Sequence, residues 1–293
     1  MKFANNRRGA LYALGAALLF GASPPLAKTL VGFMPAQLLA GLLYLGTGAS
    51  LLLYHLVRRW RSGPPGPFLH GREWRYLAGS TVFGGVLAPL LLMVGVSRTP
   101  SSVASLLLNL EAALTALVAA WIFGEHVSRR TAAAIGLILA GSCALSWSGD
   151  LSWAGLAGPL AVAGSCLSWA ADNNLTRKIA HADPVRIGIV KGLAAGAGNA
   201  GVALWLGARW PEAAPAAGAL LLGAVCYGAS LMSFILALRA LGAARTGAYF
   251  SVAPFVGAAA GVLFWKEPVT IQLAAAGALM ALGVAVLAGE ESA

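Results

Sequence analysis

The sequence predicts an all-α polytopic membrane protein with ten transmembrane helices, arranged as two inverted five-helix repeats. Three observations predict this fold: an apolar composition, basic residues concentrated in alternate loops, and an internal repeat. Of the 293 residues, 59% are hydrophobic and only 10% are charged, whereas about a quarter of the residues of a soluble domain are charged. The composition therefore excludes a soluble enzyme, a disordered chain and a collagen-like fibre.

Apolar stretches of the length that crosses a bilayer alternate with short polar or Gly/Pro-rich turns. The predicted spans are residues 9–28, 36–57, 74–96, 101–123, 131–148, 155–176, 187–206, 216–238, 246–265 and 270–289. Short loops make consecutive helices antiparallel neighbours. The first span is expected to remain uncleaved, because Pro24 and Pro25 directly follow the candidate signal-peptidase site near Ala22.

The formal net charge of +10 comes from basic residues at alternate ends of the spans. With the N-terminus inside, 15 Lys and Arg residues fall at inner ends and 4 at outer ends. Basic residues collect in cytoplasmic loops. The bias therefore predicts a multi-pass protein of the cell inner (plasma) membrane with both termini cytoplasmic. It explains the charge without a nucleic-acid partner.

Two segments of the chain repeat each other, residues 121–145 and residues 263–287. Each has an acid after an apolar helix, then a short turn and a small-residue helix with a glycine. The matched pairs, Glu125 with Glu267 and Gly141 with Gly283, are both 142 residues apart. The predicted halves, 1–150 and 151–293, then contain five spans each, and an odd number inserts them in opposite orientations. Inverted repeats are typical of secondary transporters that work by alternating access.

This repeated unit resembles the EamA-type branch of the drug/metabolite transporter superfamily. The matching residues are FGEHVS at 123–128 with Gly136 and Ala140–Gly141, WKEPVT at 265–270 with Ala276–Gly277 and Gly283, and the preceding stretches 106–112 and 253–255. Two positions depart from the family pattern. The first copy has Ala112 where the family often has proline, and the second copy has Ala253 where the pattern has an acid. Within the branch, the size and layout resemble bacterial amino-acid exporters, including exporters of aromatic amino acids.

Enzymatic and metal chemistry are not predicted. The sequence has no GxGxxG, GxxxxGK[ST] or HExxH motif. Cys143, Cys166 and Cys226 lie in apolar segments without closely spaced partners, so we expect small buried hydrophobes and neither a metal site nor a disulfide framework. No cofactor is expected, and the predicted partners are a small-molecule substrate and the lipid bilayer.

Glu111 is the first candidate for substrate binding, because a charge at bilayer depth requires a partner, a cavity or a proton. It would pair with a substrate ammonium group or carry a proton; the alternative is an acid that locks two helices. Asn109 belongs to a neighbouring stripe of small and polar residues that either lines the cavity or marks close helix packing. The stripe comprises Ser101, Ser105, Asn109, Ala112 and Ala116, matched in the second half by Gly247, Ser251, Pro254 and Ala258. On an ideal helix Glu111 lies about 200° from Asn109, so the two are not expected to face one spot.

Aromatic residues near mid-depth complete the predicted substrate site: Phe20, Tyr44, Trp169 and Tyr227. Phe20 and Trp169 are related by a second repeat match, at an offset of 149, and are expected to face each other. Their rings would stack on a substrate ring or cation. The alternative is an ordinary core or lipid-facing role.

The predicted hinges are prolines within spans, at Pro24, Pro25, Pro89 and Pro254. Each frees backbone carbonyls that would bind an ammonium group or a proton carrier, or else is a plain kink. Asp172 and Asn173 lie near the inner end of the sixth span. They are interpreted either as a polar gate or as side chains that reach cytoplasmic water.

Together these features predict a secondary transporter that exports small metabolites, with amino acids as the predicted substrate, by alternating access. Multidrug and sugar-phosphate transport are alternatives. The latter needs a cation in the cavity, and only Lys191, near the cytoplasmic edge, lies within a span. A non-transporting membrane sensor or assembly partner is the alternative from another class. The fifth and tenth helices have glycines that either pack within the chain or form a homodimer, namely Gly136, Gly141, Gly277 and Gly283.

Overall fold

A computed structural model describes residues 2–62, 68–123, 127–147, 153–241 and 243–291, and it contains no β-strand within them. The α-helices are α1 (Lys2–Gly21), α2 (Ser23–Leu30), α3 (Ala36–Ser62), α4 (Trp74–Ser80), α5 (Ala88–Arg98), α6 (Ser101–Leu107), α7 (Leu110–Phe123), α8 (Arg129–Ser146), α9 (Trp153–Arg177), α10 (Pro184–Trp205), α11 (Ala213–Leu222), α12 (Ser230–Leu241), α13 (Ala243–Phe250), α14 (Ala253–Trp265) and α15 (Ile271–Glu291). A 3₁₀-helix covers Gly71–Glu73. Glu125, the predicted counterpart of Glu267, lies outside the described residues.

The structure is that of a multi-pass membrane protein. Within the described residues, six helical stretches are long and apolar enough to cross a membrane: Arg7–Lys28, Ala36–Arg59, Gly71–Arg98, Ser101–Ile122, Pro184–Trp205 and Ala213–Leu241. Ala253–Trp265 and Ile271–Leu287 are shorter apolar helices. Large apolar side chains also cover the outer surface; Ile271, for example, is 90% exposed and Trp121 88% exposed. Such a surface suits lipid and would promote aggregation in water.

Several helices are interrupted where the sequence places prolines. The first span breaks between α1 and α2, with Pro24 and Pro25 in the first turn of α2. The ninth predicted span breaks between α13 and α14, and Pro254 begins α14. A proline is tolerated in a first turn because the N–H it lacks has no helical acceptor there. The predicted hinge prolines thus lie at the starts of short helices.

Two π-helical segments join short helices into longer ones, and periodicity did not predict them. Thr81–Leu87 connects α4 to α5, which begins next to Pro89, and Gly223–Ala229 connects α11 to α12. The second segment begins 142 residues after the first. A π-helical turn widens the helix and redirects carbonyl groups, and such turns are frequent at functional sites.

Small residues bring helices into backbone contact. A side chain at Gly192 of α10 would collide with the backbone of Gly48 in α3. Likewise, a side chain at Gly141 of α8 would collide with α15, and one at Gly283 of α15 would collide with α8. Gly141 and Gly283 therefore pack within the chain. Of the three cysteines, Cys166 and Cys226 are buried as expected. Cys143 is exposed, because it lies on the face of α8 that points away from the bundle.

Candidate functional site

A cavity of about 480 Å³ lies among α7, α9, α13, α14 and α15. Five of the predicted site and hinge residues line it, namely Phe20, Asn109, Glu111, Asn173 and Pro254. Phe250, Val284 and Leu287 supply apolar lining, and Arg177 supplies a cation. This volume is within the range of small-molecule sites, roughly 300–1,000 Å³.

Glu111 lies in the first turn of α7 and accepts a hydrogen bond from a side chain of α9. The donor is Asn173 Nδ2, 2.9 Å from Glu111 Oε1, and the same amide lies 3.4 Å from Thr115 Oγ1. Arg177 follows Asn173 by four residues, so both lie on one face of α9. An acid, an amide and a guanidinium group therefore border the same cavity.

Asn109 and Glu111 both line this cavity, although an ideal helix would separate them by about 200°. The reason is a helix break: α6 ends at Leu107 and α7 begins at Leu110. An angle of about 200° applies only to a continuous helix. Asn109 Nδ2 donates to the carbonyl of Leu106, 2.8 Å away, so the amide satisfies a carbonyl at the break.

The four predicted aromatic residues form one cluster beside the cavity. The ring centroid of Phe20 lies 6.3 Å from that of Trp169 and 5.6 Å from that of Tyr227, both edge to face. Tyr44 lies 6.1 Å from Tyr227. Phe250, which the sequence did not single out, lies 5.6 Å from Phe20. Phe20 thus connects the cluster to the cavity wall.

The π-helical segment Thr81–Leu87 holds two of these rings. Tyr44 Oη and Trp169 Nε1 both donate to the carbonyl of Gly84, at 2.6 and 3.1 Å. Asn199 Nδ2 lies 3.2 Å from the carbonyl of Val86. The carbonyls of Gly84 and Val86, near Pro89, are therefore engaged by side chains of the protein, which favours the plain kink over substrate binding at this proline.

Asp172 does not reach cytoplasmic water, as one interpretation of the sequence held, but forms a buried ion pair. Lys191 Nζ lies 2.7 Å from Asp172 Oδ1 and 2.6 Å from Oδ2. Ser80 and Thr176 also donate to Oδ1. The pair joins α9 to α10 and, through Ser80, to α4. Its neighbour Gly84 leaves no space for a side chain, because a Cβ atom there would collide with the Asp172 carboxylate.

The two stripes of small residues pack helices closely in one part and line the cavity in another, which are the two roles that the sequence left open. Near the start of α6 they pack closely: a side chain at Gly257 would collide with Ser105, and one at Gly261 with Ser101 and Ser102. Further along, Ala112, Ala116, Gly247, Ser251 and Pro254 line the cavity. The change from packing to lining coincides with the breaks between α6 and α7 and between α13 and α14.

At the opposite end of the helices, Glu267 accepts several hydrogen bonds. Its Oε1 accepts from Ser101 N at 2.7 Å and Ser101 Oγ at 2.9 Å, and its Oε2 accepts from Ser102 N at 2.8 Å. Lys28 Nζ lies 3.2 Å from Oε1 and 3.2 Å from the carbonyl of Thr99. Burial would raise the pKa of Glu267, but the hydrogen bonds from Ser102 and Ser101 outweigh it and lower the pKa to about 2. The sequence identified Glu267 only as part of the repeat.

Comparisons with known proteins agree with this architecture. The family described as the EamA-like transporter family matches the chain twice, at residues 7–147 and 156–289. A protein of Methanothermobacter thermautotrophicus described as an uncharacterized transporter is 26% identical over 295 residues, covering 95% of this chain and 85% of the relative. A protein of known crystal structure superposes with a TM-score of 0.67 at 22% identity, with 95% of each chain covered. That last likeness concerns the fold alone.

Proposed function

We propose, on the premise that the chain belongs to the EamA-like transporter family, that this membrane transporter exports amino acids through the cavity around Glu111. The observation that carries the proposal is the arrangement of Glu111, Asn173 and Arg177 on one cavity with an aromatic wall. An acid that faces a cavity at membrane depth is costly unless a ligand or proton uses it.

Each part of an amino acid has a matching group on the cavity. The α-ammonium group binds Glu111, and the hydrogen bond that it donates to the Glu111 carboxylate is charge-assisted and therefore strong. The α-carboxylate binds Arg177, whose planar fork suits a carboxylate. An apolar or aromatic side chain packs on Phe20 and Phe250. Zwitterions with apolar side chains are therefore the proposed substrate class within the amino acids.

Alternating access is proposed to arise from ten spans in two inverted halves, as one half moves against the other around the cavity. The repeated family match supports two related halves. The two π-helical segments support them too, because they lie at the offset of 142 that also separates Glu125 from Glu267. Gly141 of α8 packs against α15 and Gly283 of α15 packs against α8 within one chain, so the proposed route needs no homodimer.

The proposed orientation in the inner membrane follows from charge. Both termini, and with them Arg177 and the mouth of the cavity, lie on the cytoplasmic side by the positive-inside rule. In that orientation the cavity receives substrate from the cytoplasm. Sugar-phosphate transport is disfavoured, because Lys191 is engaged by Asp172 and the Glu111 carboxylate would repel a phosphate beside Arg177.

The test is a flux assay on purified protein in proteoliposomes. We expect counterflow of labelled neutral amino acids with apolar side chains, and weaker competition by analogues that lack the ammonium or the carboxylate group. A protein that moves neutral organic solutes as well as amino acids would contradict the substrate class. A protein that moves no solute from a broad panel would contradict export itself.

A further inference from the structure

We propose that Lys28, Glu267 and the start of α6 form the outer gate of the transport pathway, a contact that opens when the cavity faces outward. The inference rests on the proposed function in two respects, the alternating access of the cavity and the proposed orientation of the chain in the membrane. It adds residues that touch no substrate and that control which side of the membrane the cavity faces.

The gate joins the two halves of the chain. Glu267 lies in the loop between α14 and α15, whereas its partners Ser101, Ser102 and Lys28 belong to α6 and α2. Trp265 Nε1 adds a second link, 3.0 Å from the carbonyl of Pro25. Relative movement of the halves at this end must break these contacts.

The gate lies at the opposite end of the helix pair from the cavity. Ser101 begins α6, and the cavity lining on this span runs from Leu108 to Ala119, so its near edge lies seven residues further, roughly 10 Å at 1.5 Å per residue. Between them, Ser105 packs against Gly257 without space for a side chain. The cavity is thus separated from the gate end by tight packing, and the gate residues stabilise that packing.

The gate residues lie on or beside two short helices, α2 and α6, which can shift relative to the longer helices of their spans. α2 has 8 residues and α6 has 7, and a break separates each from the longer helix that continues its span. Water reaches the gate on the side of Lys28, whose side chain is 27% exposed, whereas that of Glu267 is 11% exposed. Water at Lys28 can replace its hydrogen bonds when the gate opens.

The gate should be insensitive to pH in the physiological range. A carboxyl group whose pKa is lowered on folding contributes stability above its unfolded pKa, and that contribution is lost as the pH falls towards the folded pKa. For Glu267 the loss begins near its ordinary value of 4.5 and continues to about 2. The charged groups at this carboxylate are Lys28, which binds it, and Arg98, which lines the same surface pocket. We expect Glu267→Gln to change outer labelling of the cavity, relative to the parent at the same pH, by the same factor at about pH 5 and at about pH 8; factors that differ by more than twofold would contradict the prediction.

The experiment measures which side of the membrane reaches the cavity. Ala112 is exposed to the cavity, so Ala112→Cys in a background without the three native cysteines is a reporter for a membrane-impermeant thiol reagent. In the parent, labelling should be fast in inside-out vesicles and slow in right-side-out vesicles. Glu267→Gln and Lys28→Met should each speed labelling in right-side-out vesicles, by about tenfold for Glu267→Gln, as the population shifts to the outward-facing state.

Lys266→Asn is the matched control. Lys266 is the exposed neighbour of Glu267, and its backbone has φ 53°, which asparagine tolerates. This control changes one charge in the same loop and should leave labelling as in the parent.

Unchanged outer labelling in both gate variants overturns the proposal, as does a parent that is labelled faster from outside. If Glu267→Gln fails to accumulate in the membrane, Lys28→Met decides. Labelling requires no transported solute. An altered labelling rate without amino-acid flux would therefore overturn the proposed substrate and retain the gate.

Discussion

Replacing Glu111 with glutamine is expected to lower the initial rate of amino-acid counterflow by about a hundredfold. Glutamine retains the size of glutamate and an oxygen that accepts the bond from Asn173 Nδ2. What it removes is the negative charge that pairs with the substrate ammonium group. A charge-assisted hydrogen bond contributes roughly 1.5–3 kcal/mol, and the upper part of that range corresponds to a hundredfold.

Glu212→Gln is the control for this variant, because Glu212 is exposed at the start of α11 and bears no relation to the cavity. It should transport at the parent rate. The pH dependence of flux separates two roles of Glu111. If the acid carries a coupling proton, Glu111→Gln loses the pH dependence as well as the rate; if it only binds the ammonium group, the residual flux keeps the dependence of the parent. A Glu111→Gln protein with the rate and pH profile of the parent would exclude both roles.

The sequence predicted a membrane transporter of the EamA family, and the family match confirms that prediction. Hydrophobicity and charge distribution are strong signals in a lipid environment, because every apolar span and every basic loop is subject to the same physical requirement. Single residues of unusual type were also informative. Glu111 stood out because acids at membrane depth are rare, and Phe20 and Trp169 stood out through the repeat.

Where the structure departs from ideal helical geometry, at Asn109 and around Gly84, the cause is an irregular backbone. The break at Leu108 and Asn109 turns two residues toward one cavity, although ideal helical geometry separates them. The π-helical turn around Gly84 presents a carbonyl to Tyr44 and Trp169. Mostly apolar residues surround both places, and such residues give no periodic signal that distinguishes a regular helix from a broken or π-helical one. The halves 1–150 and 151–293, the ten spans and the substrate roles of the site residues stay predictions.

Pairing between distant residues could not be read from local pattern either. Asp172 and Lys191 are 19 residues apart in sequence, on different helices, and each is close to a predicted inner end. Local sequence favours contact with water for both. Only the packing of α9 on α10 brings them together and excludes water. The same holds for Lys28 and Glu267, whose meeting depends on how the two halves pack.

The buried ion pair supplies the second large prediction: Asp172→Asn is expected to lower the free energy of unfolding by about 3–5 kcal/mol. Removing one partner of a buried pair leaves the other charge without compensation, at a cost of this size. Here the remaining charge is Lys191, whose side chain is only 16% exposed. Thermal unfolding of the purified protein in detergent measures the loss, as a lower midpoint than that of the parent.

Two further variants show whether the effect comes from the unpaired charge. Asp172→Asn combined with Lys191→Met should recover part of the loss, because no charge then remains without a partner. Gly84→Ala changes no charge, yet its Cβ atom would collide with the Asp172 carboxylate and should separate the pair, with a similar loss of stability. Gly198→Ala is its control, since nothing lies within 4 Å of the added atom and alanine favours a helix. If Gly84→Ala unfolds at the temperature of Gly198→Ala, the tight seating of Asp172 against the π-helical turn does not contribute to stability.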